Sequence, residues 1–427
     1  MTLEKTAAHP SWRESLLAML RGRMLIALLM GFASGLPLLL TITVLQAWLT
    51  EGGINLASIG LFSLVGLPYT LKFLWSPLID RYALPLLGRR RGWMLLTQAA
   101  TAAALVALSL SHPVPEDLLW ISVASLLVAF FSASQDIVID AYRRESVSED
   151  ELGLASGLYV NGYRVGMLLA SGGGLIIADH TSFAFMYQFM AACMVACIAV
   201  TLCAPEPSLP ANAPKTLVEA VILPILDYFR REGSWREGAW LALAFILLYK
   251  IGDTMASAMT TPFYLKLGYS KTEIGALVKI FGFWATIAGA TVGGLIITRI
   301  GMRRALWVFG IAQLISTLGF VALAYIGHDN VALASVIGFE NFASGLGTTA
   351  FVCFMGALTN RRFTATQYAL LSSLMGVPRV LLSAPTGWLA LALGWPGFFL
   401  LCTLLAIPGL LLIRGVTRLS EDQRVPK

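Results

Sequence analysis

Twelve stretches of this chain are long and apolar enough to cross a lipid bilayer, and nothing else in the sequence narrows its fold as much. They run approximately over 24–50, 56–79, 93–111, 118–142, 153–178, 183–203, 238–265, 272–298, 304–327, 331–358, 367–393 and 396–413. About 20 apolar residues in a helix, at ~1.5 Å each, span the hydrocarbon layer. In lipid each backbone amide and carbonyl must be paired within the segment, so the stretches are expected as helices. Turn and charge signals separate them, among them Glu51-Gly52-Gly53, His112-Pro113-Val114-Pro115 and His328-Asp329-Asn330. Charged residues make up only 13% of the chain, against about 25% in soluble domains.

Lysine and arginine set the orientation. With the two termini and every second loop placed on one side, that side holds 23 of the 30 basic residues. The other side holds Lys266 and Lys271, and the remaining five lie within the apolar stretches. This asymmetry places both termini in the cytoplasm. The net charge of +6 follows from the same bias, and no nucleic-acid motif accompanies it.

The longest loop, 204–237, opens with Pro205, Pro207, Pro210 and Pro214, a linker composition. It continues as an amphipathic stretch, Leu217 to Arg231, expected on the membrane surface. It divides the chain into a cytoplasmic amphipathic N-terminus (1–23), a first six-helix bundle (24–203), the linker, a second bundle (238–413) and a cytoplasmic tail (414–427). A shift of 215 residues lays Gly53–Gly60 on Gly268–Gly275, Arg164-Val165 on Arg379-Val380 and Gly172 on Gly387. Two parallel six-helix halves with a site between them resemble the major facilitator superfamily. The expected fold class is an all-α polytopic membrane protein of twelve transmembrane helices in two pseudo-symmetric bundles.

Charges inside the apolar stretches carry the functional reading. Five bases (Lys72, Arg164, Lys250, Lys279 and Arg379) and four acids (Asp136, Asp140, Asp253 and Glu340) lie within or at the ends of these stretches. A charge near the bilayer centre costs at least about 2.5–3.5 kcal/mol, so such residues face partners or a watery cavity. The excess of bases points to a transporter of an anion. Arg164, Arg379, Lys250, Lys72 and Lys279 are the candidate substrate-binding residues, since arginine can hold a carboxylate through two hydrogen bonds. Glu340, Asp136 and Asp253 are the candidates for carrying a coupled proton. The plainer reading of Lys72 and Asp136 is a static salt bridge, and that of Arg164 and Arg379 is neutralisation of buried acids.

After the second stretch comes Ser76-Pro-Leu-Ile-Asp80-Arg81, then Gly88-Arg89-Arg90-Arg91; after the eighth come Gly293-Gly294, Arg299, Gly301, Arg303 and Arg304. Both resemble the superfamily's loop motif, which implies a cytoplasmic gate built from Asp80, Arg81, Arg89, Arg299 and Arg303. Asp140, at the end of the fourth stretch, is expected to pair with the loop arginines. Small-xxx-small spacings at Gly31/Gly35, Gly153/Gly157, Gly162/Gly166 and Gly289/Gly293 mark close helix crossings. Trp48, Tyr69, Tyr159, Tyr163, Tyr249 and Trp284 can face sugar rings or pack in the core or interface.

Nothing reads as an enzyme. The five cysteines have no metal-site spacing, no ATP-binding lysine motif is present, and the four histidines lie in loops or at the terminus. No metal and no cofactor is expected.

Longer strings are more specific. Gly31-Phe-Ala-Ser-Gly-Leu-Pro37, Lys72-Phe-Leu-Trp-Ser-Pro-Leu-Ile-Asp-Arg-Tyr82, Ser132-Ala-Ser-Gln-Asp-Ile-Val-Ile-Asp140, Leu248-Tyr-Lys-Ile-Gly-Asp253 and Glu340-Asn-Phe-Ala-Ser-Gly-Leu-Gly-Thr348 closely resemble the AmpG muropeptide permease family. The resemblance implies proton-driven import of anhydromuropeptides from periplasm to cytoplasm across a bacterial inner membrane. It also implies a place in peptidoglycan recycling and, in some bacteria, in β-lactamase induction. The expected partners are an anionic glycopeptide, membrane lipid and the proton gradient, with no nucleic acid and a monomeric chain. The alternatives are a carrier of another bulky anion such as acetyl-CoA, then a drug exporter or a non-transporting scaffold.

Overall fold

The computed structural model describes residues 19–54, 62–84, 88–208, 219, 221, 223–224, 235–270, 273–360, 363–381 and 385–422; within these, the side chains of 63, 235–237, 275, 377–381 and 417–422 fall outside the description. Most of the N-terminal segment, most of the 204–237 linker with its amphipathic stretch, Lys271 and the Arg379 side chain therefore lie outside the described residues. Among the described residues the chain is helical, with one isolated β-bridge, Leu84 to Gly88.

Among the described residues, fifteen α-helical segments follow one another. The first stretch is α1 (Gly22–Gly35) and α2 (Thr43–Glu51), and the second holds α3 (Leu67–Leu71) and α4 (Ser76–Arg81). Then come α5 (Arg89–Ser109), α6 (Leu118–Ser146), α7 (Leu152–Leu168), α8 (Gly174–His180) and α9 (Phe183–Cys203). The second group holds α10 (Trp235–Leu248), α11 (Ile251–Lys266), α12 (Gly282–Ile326), α13 (Asn330–Leu358), α14 (Thr364–Leu381) and α15 (Thr386–Asp422). Eight helical runs among the described residues are long and apolar enough to cross a membrane. Two of these are broken by glycines in the left-handed region, Gly301 at φ 75 within α12 and Gly394 at φ 68 within α15. Each such run thus contributes to two of the expected stretches. Where described, the remaining stretches are helical in shorter pieces, consistent with the twelve-stretch plan.

Lipid supplies no hydrophobic drive between helices, so small residues and close packing hold the bundle. The glycine pairs sit where helices cross. A Cβ on Gly31 or Gly35 would run into the Tyr159 or Tyr163 carbonyl, and one on Gly162 or Gly166 into that of Leu28 or Phe32. This locks α1 against α7. Gly289 approaches the Phe342 backbone, packing α12 on α13, while Gly153 and Gly157 face Ile297, Ala290 and Gly294 and pack α7 on α12. The outside is apolar: Leu391 is 86% exposed and Trp388 82%, as lipid-facing positions must be.

Irregular turns interrupt the helices among the described residues. The first stretch is interrupted after Gly35 by a 3-10 turn at Leu38–Leu40, where Pro37 lacks the amide a continuous helix needs. A π-helical turn, Leu169–Gly173, lies one turn beyond Arg164, and a second, Ile274–Phe281, carries Lys279. Such turns concentrate at functional positions.

Candidate functional site

Four charges meet at the seam between the two helix groups. Lys250 stands in the break between α10 and α11, at φ −108 and ψ 9. Its Nζ donates to Thr348 Oγ1 on α13 at 2.7 Å and lies 3.6 Å from Asp253 Oδ2. Arg164 on α7 and Glu340 on α13 are close enough to act electrostatically on Lys250 and on each other. Arg164 comes from the first group and the other three from the second, so the cluster bridges both. It is not fully enclosed, with the Lys250 and Asp253 side chains 18% and 24% exposed. The cluster brings together two basic and two acidic side chains. An anion that engaged the bases would release an acid from its partners and leave it able to take a proton. A broken helix suits such a site, because its freed backbone groups and the charge can both face a ligand.

A second polar cluster lies inside the first group. Asp136 on α6 accepts a hydrogen bond from Ser34 on α1, and Ser34 lies 3.2 Å from the Tyr159 hydroxyl. Gln135 donates to the Ala33 carbonyl at 2.7 Å. Lys72 is buried and acts electrostatically on both Asp136 and Asp140, yet it forms a direct ion pair with neither among the described residues. The expected static Lys72–Asp136 bridge is thus a longer-range attraction. Ser34, itself beside the Tyr159 hydroxyl, takes the place of the lysine at the Asp136 carboxylate.

At the arginine-rich end the groups are fastened together. Asp80 accepts backbone N–H bonds from Ala365 at 3.2 Å and Thr366 at 2.8 Å, at the start of α14. A carboxylate there meets the free amides and the positive end of the helix dipole. Asp80 is held in place by Arg90 at 2.8 Å and Arg89 at 3.7 Å. Glu145 at the end of α6 completes the arrangement, 2.6 Å from Arg90 and 3.0 Å from Arg89. The next helix is treated in the opposite sense. Arg144 donates to the Gly356 carbonyl at 2.6 Å, near the negative end of α13. Arg143, also buried, donates to Ser156 at 2.7 Å and, across the seam, to Tyr368 at 3.0 Å. Asn161 donates to Thr291 at 2.6 Å. These cross-group bonds all lie between the arginine-rich end and Asn161. Arg164 lies about one turn beyond that seal, at ~1.5 Å per residue.

The expected gate residues divide. Asp80 and Arg89 sit in it. Asp140 does not pair with the loop arginines: its partners are Arg143 at 3.5 Å and Tyr159. Asp140 and Glu145 are five residues apart, which on a helix is a rotation of about 140°, so only Glu145 faces the loop. Arg81 stacks on its neighbour Tyr82 at 5.2 Å. Arg299 is half-buried and Arg303 exposed. Lys279 is exposed on its π-helical turn. Of the aromatic candidates, Trp48 and Tyr249 are core: Trp48 packs on Phe183 and Tyr187, and Tyr249 stacks on Phe351. Arg90, Glu145, Arg144, Ser34 and Tyr368 belong to the networks without having been singled out. Arg90 and Glu145 were legible in principle, as a further base in Gly88-Arg89-Arg90-Arg91 and an acid just past Arg143-Arg144.

The family description Major Facilitator Superfamily matches residues 23–381. The chain is 43% identical over 405 residues to the anhydromuropeptide permease of Escherichia coli, covering 94% of this chain and 81% of that one. Among solved structures, the human organic anion transporter MFSD10 superposes with a TM-score of 0.69 at 15% identity, over 95% of this chain and 100% of that one. The proton:xylose symporter XylE, bound to 6-bromo-6-deoxy-D-glucose, gives 0.68 at 11% identity over 92% and 94%. At such identities these two structures bear on the fold alone.

Proposed function

We propose that this chain, which belongs to the major facilitator superfamily and within it to the anhydromuropeptide permease family, imports anhydromuropeptides into the cytoplasm by proton-coupled alternating access. The single observation that carries the reading is the seam cluster of Arg164, Lys250, Asp253 and Glu340, with the lysine in a helix break. Muropeptides bear peptide carboxylates, which suit Arg164 and Lys250. Arg379, the symmetric counterpart of Arg164 in sequence, is the further candidate. Glu340 is the first choice for the proton, with Asp253 and Asp136 in reserve.

In this reading the membrane is the bacterial inner membrane and the arginine-rich end is cytoplasmic. The cross-group bonds at Asp80, Arg143, Arg144 and Asn161 then hold the cytoplasmic side shut while the charges face the periplasm. Cargo and proton enter, the charges at the seam are neutralised, and the latch gives way. Alternating access needs only that the two groups rock apart at this end, so that the α7–α12 and α14 contacts part. Asp80, Arg89 and Arg90 form the latch, with Arg299 its counterpart in the second half; Arg303 instead lines an outer cleft with Arg304 and Arg414.

Uptake of labelled anhydromuropeptide by membrane vesicles, challenged by unlabelled muropeptide or by acetyl-CoA, tests the cargo. Competition by muropeptide alone is expected. Competition by acetyl-CoA with no effect of muropeptide would move the chain to the rival anion.

A further inference from the structure

We infer that the chain carries a built site for an anionic phospholipid at its arginine-rich end, on the outer surface between α12 and α15 and apart from the transport seam. A concave surface of about 580 Å³ is lined by Ile300, Arg303, Arg304, Trp307, Val308 and Arg414. Three of these six are guanidinium groups, all exposed, and Arg414 lies over the Trp307 ring at 5.8 Å. Tryptophan is enriched at the headgroup level of membranes, and arginine offers a planar fork to phosphate.

Below the arginines two apolar tracks begin. On α12, Arg304 is followed at helical spacing by Val308, Ile311 and Ile315, exposed by 51%, 43% and 50%. On α15, Arg414 is preceded, three, seven and ten residues back, by Leu411, Ile407 and Leu404, exposed by 64%, 38% and 53%, offsets that likewise share one helix face. Residues at i, i+4, i+7 and i+11 share one face. The two helices pack together, so the tracks lie side by side with an arginine at the head of each. A free phosphate would use the arginines and ignore the tracks. A phosphodiester headgroup with acyl chains uses both, at the depth where the chain's own membrane reading puts the interface. The Trp307–Arg414 contact fixes one guanidinium at the cleft and joins the two helices through the ligand's binding face. Occupancy would therefore brace α12 against α15 in the second helix group.

The test is binding to purified protein in neutral detergent, read by native mass spectrometry and by thermal shift. The probes are cardiolipin, phosphatidylglycerol, phosphatidylethanolamine and inorganic phosphate. An arginine near an anionic lipid surface contributes about fivefold in affinity. Arg304→Gln with Arg414→Gln should lower affinity for the anionic lipids by roughly twenty-five-fold and remove their thermal shift. The matched control, Arg21→Gln with Arg23→Gln, removes the same charge from the same end and should leave both readouts intact. Ile311→Ser with Leu411→Ser should weaken lipid binding while the arginines remain. The inference is overturned if phosphatidylethanolamine or phosphate alone stabilises as well as cardiolipin, or if the control pair loses as much binding as the arginine pair. Retained stoichiometric binding in the Arg304/Arg414 variant would overturn it equally.

Discussion

Replacing Asp80 by asparagine should open the arginine-rich end, and the structure gives the size of the effect. Only interactions that cross the seam enter the open–closed equilibrium. The bonds of Asp80 to Arg89 and Arg90 stay within the first group in either state. What the closed state alone has is a buried carboxylate accepting two amides, from Ala365 and Thr366, at the start of α14. Asparagine keeps the shape and one acceptor oxygen but loses the charge and the second acceptor. A carboxylate at a helix start in a partly buried setting contributes up to about 2 kcal/mol. At about 1.4 kcal/mol per tenfold, this is roughly thirtyfold toward the open state. The assay is thiol labelling from the arginine-rich side at Thr291→Cys, in a background whose native cysteines are replaced. Position 291 sits against Asn161 in the seal, so it should be protected before the substitution and labelled roughly thirtyfold faster after it. Equal labelling with and without Asp80→Asn would refute the reasoning that this carboxylate fastens the halves.

Two further outcomes follow from the same geometry. Gly157→Val places a side chain where its Cβ would meet the Ala290 carbonyl oxygen at 2.6 Å and the Gly294 Cα at 3.2 Å. Overpacking costs about 1–3 kcal/mol, which should slow uptake about fivefold or more in a folded protein, and full uptake would contradict the α7–α12 seal. Arg164→Lys keeps the charge and loses the planar fork, so muropeptide affinity measured by isothermal titration should fall about tenfold; an unchanged affinity would take Arg164 out of the site.

Much of the plan was legible before any coordinate. The length and apolarity of the stretches, the arginine bias and the 215-residue shift are properties of the chain alone, and the superfamily they suggest is the one whose description matches residues 23–381. The intramembrane charges stood out because lipid penalises them. Their pairing did not, because depth along a helix says nothing about which way a side chain turns. Asp140 and Glu145 show this: both end the same helix, yet only Glu145 meets Arg90. The Asp80 contact with Ala365 and Thr366 joins residues 285 and 286 apart in sequence, a distance no local pattern bridges. The break at Lys250 has no proline to announce it. Its neighbours explain it only once the fold is known, since Gly252 packs against the Cys402 carbonyl and Gly409 against Tyr249.

The central claim is that anion binding at the seam and protonation of Glu340 are one linked event. Reconstituted vesicles containing the wild-type chain or Glu340→Gln, loaded with or without unlabelled muropeptide and held with or without an acid-outside pH gradient, test it most directly. The wild type should concentrate labelled muropeptide only under the gradient. Glu340→Gln should fail to concentrate it, yet still exchange labelled for unlabelled cargo when no gradient is imposed, because the bases that hold the anion remain. A Glu340→Gln chain that concentrates muropeptide in response to the gradient as the wild type does would contradict the account.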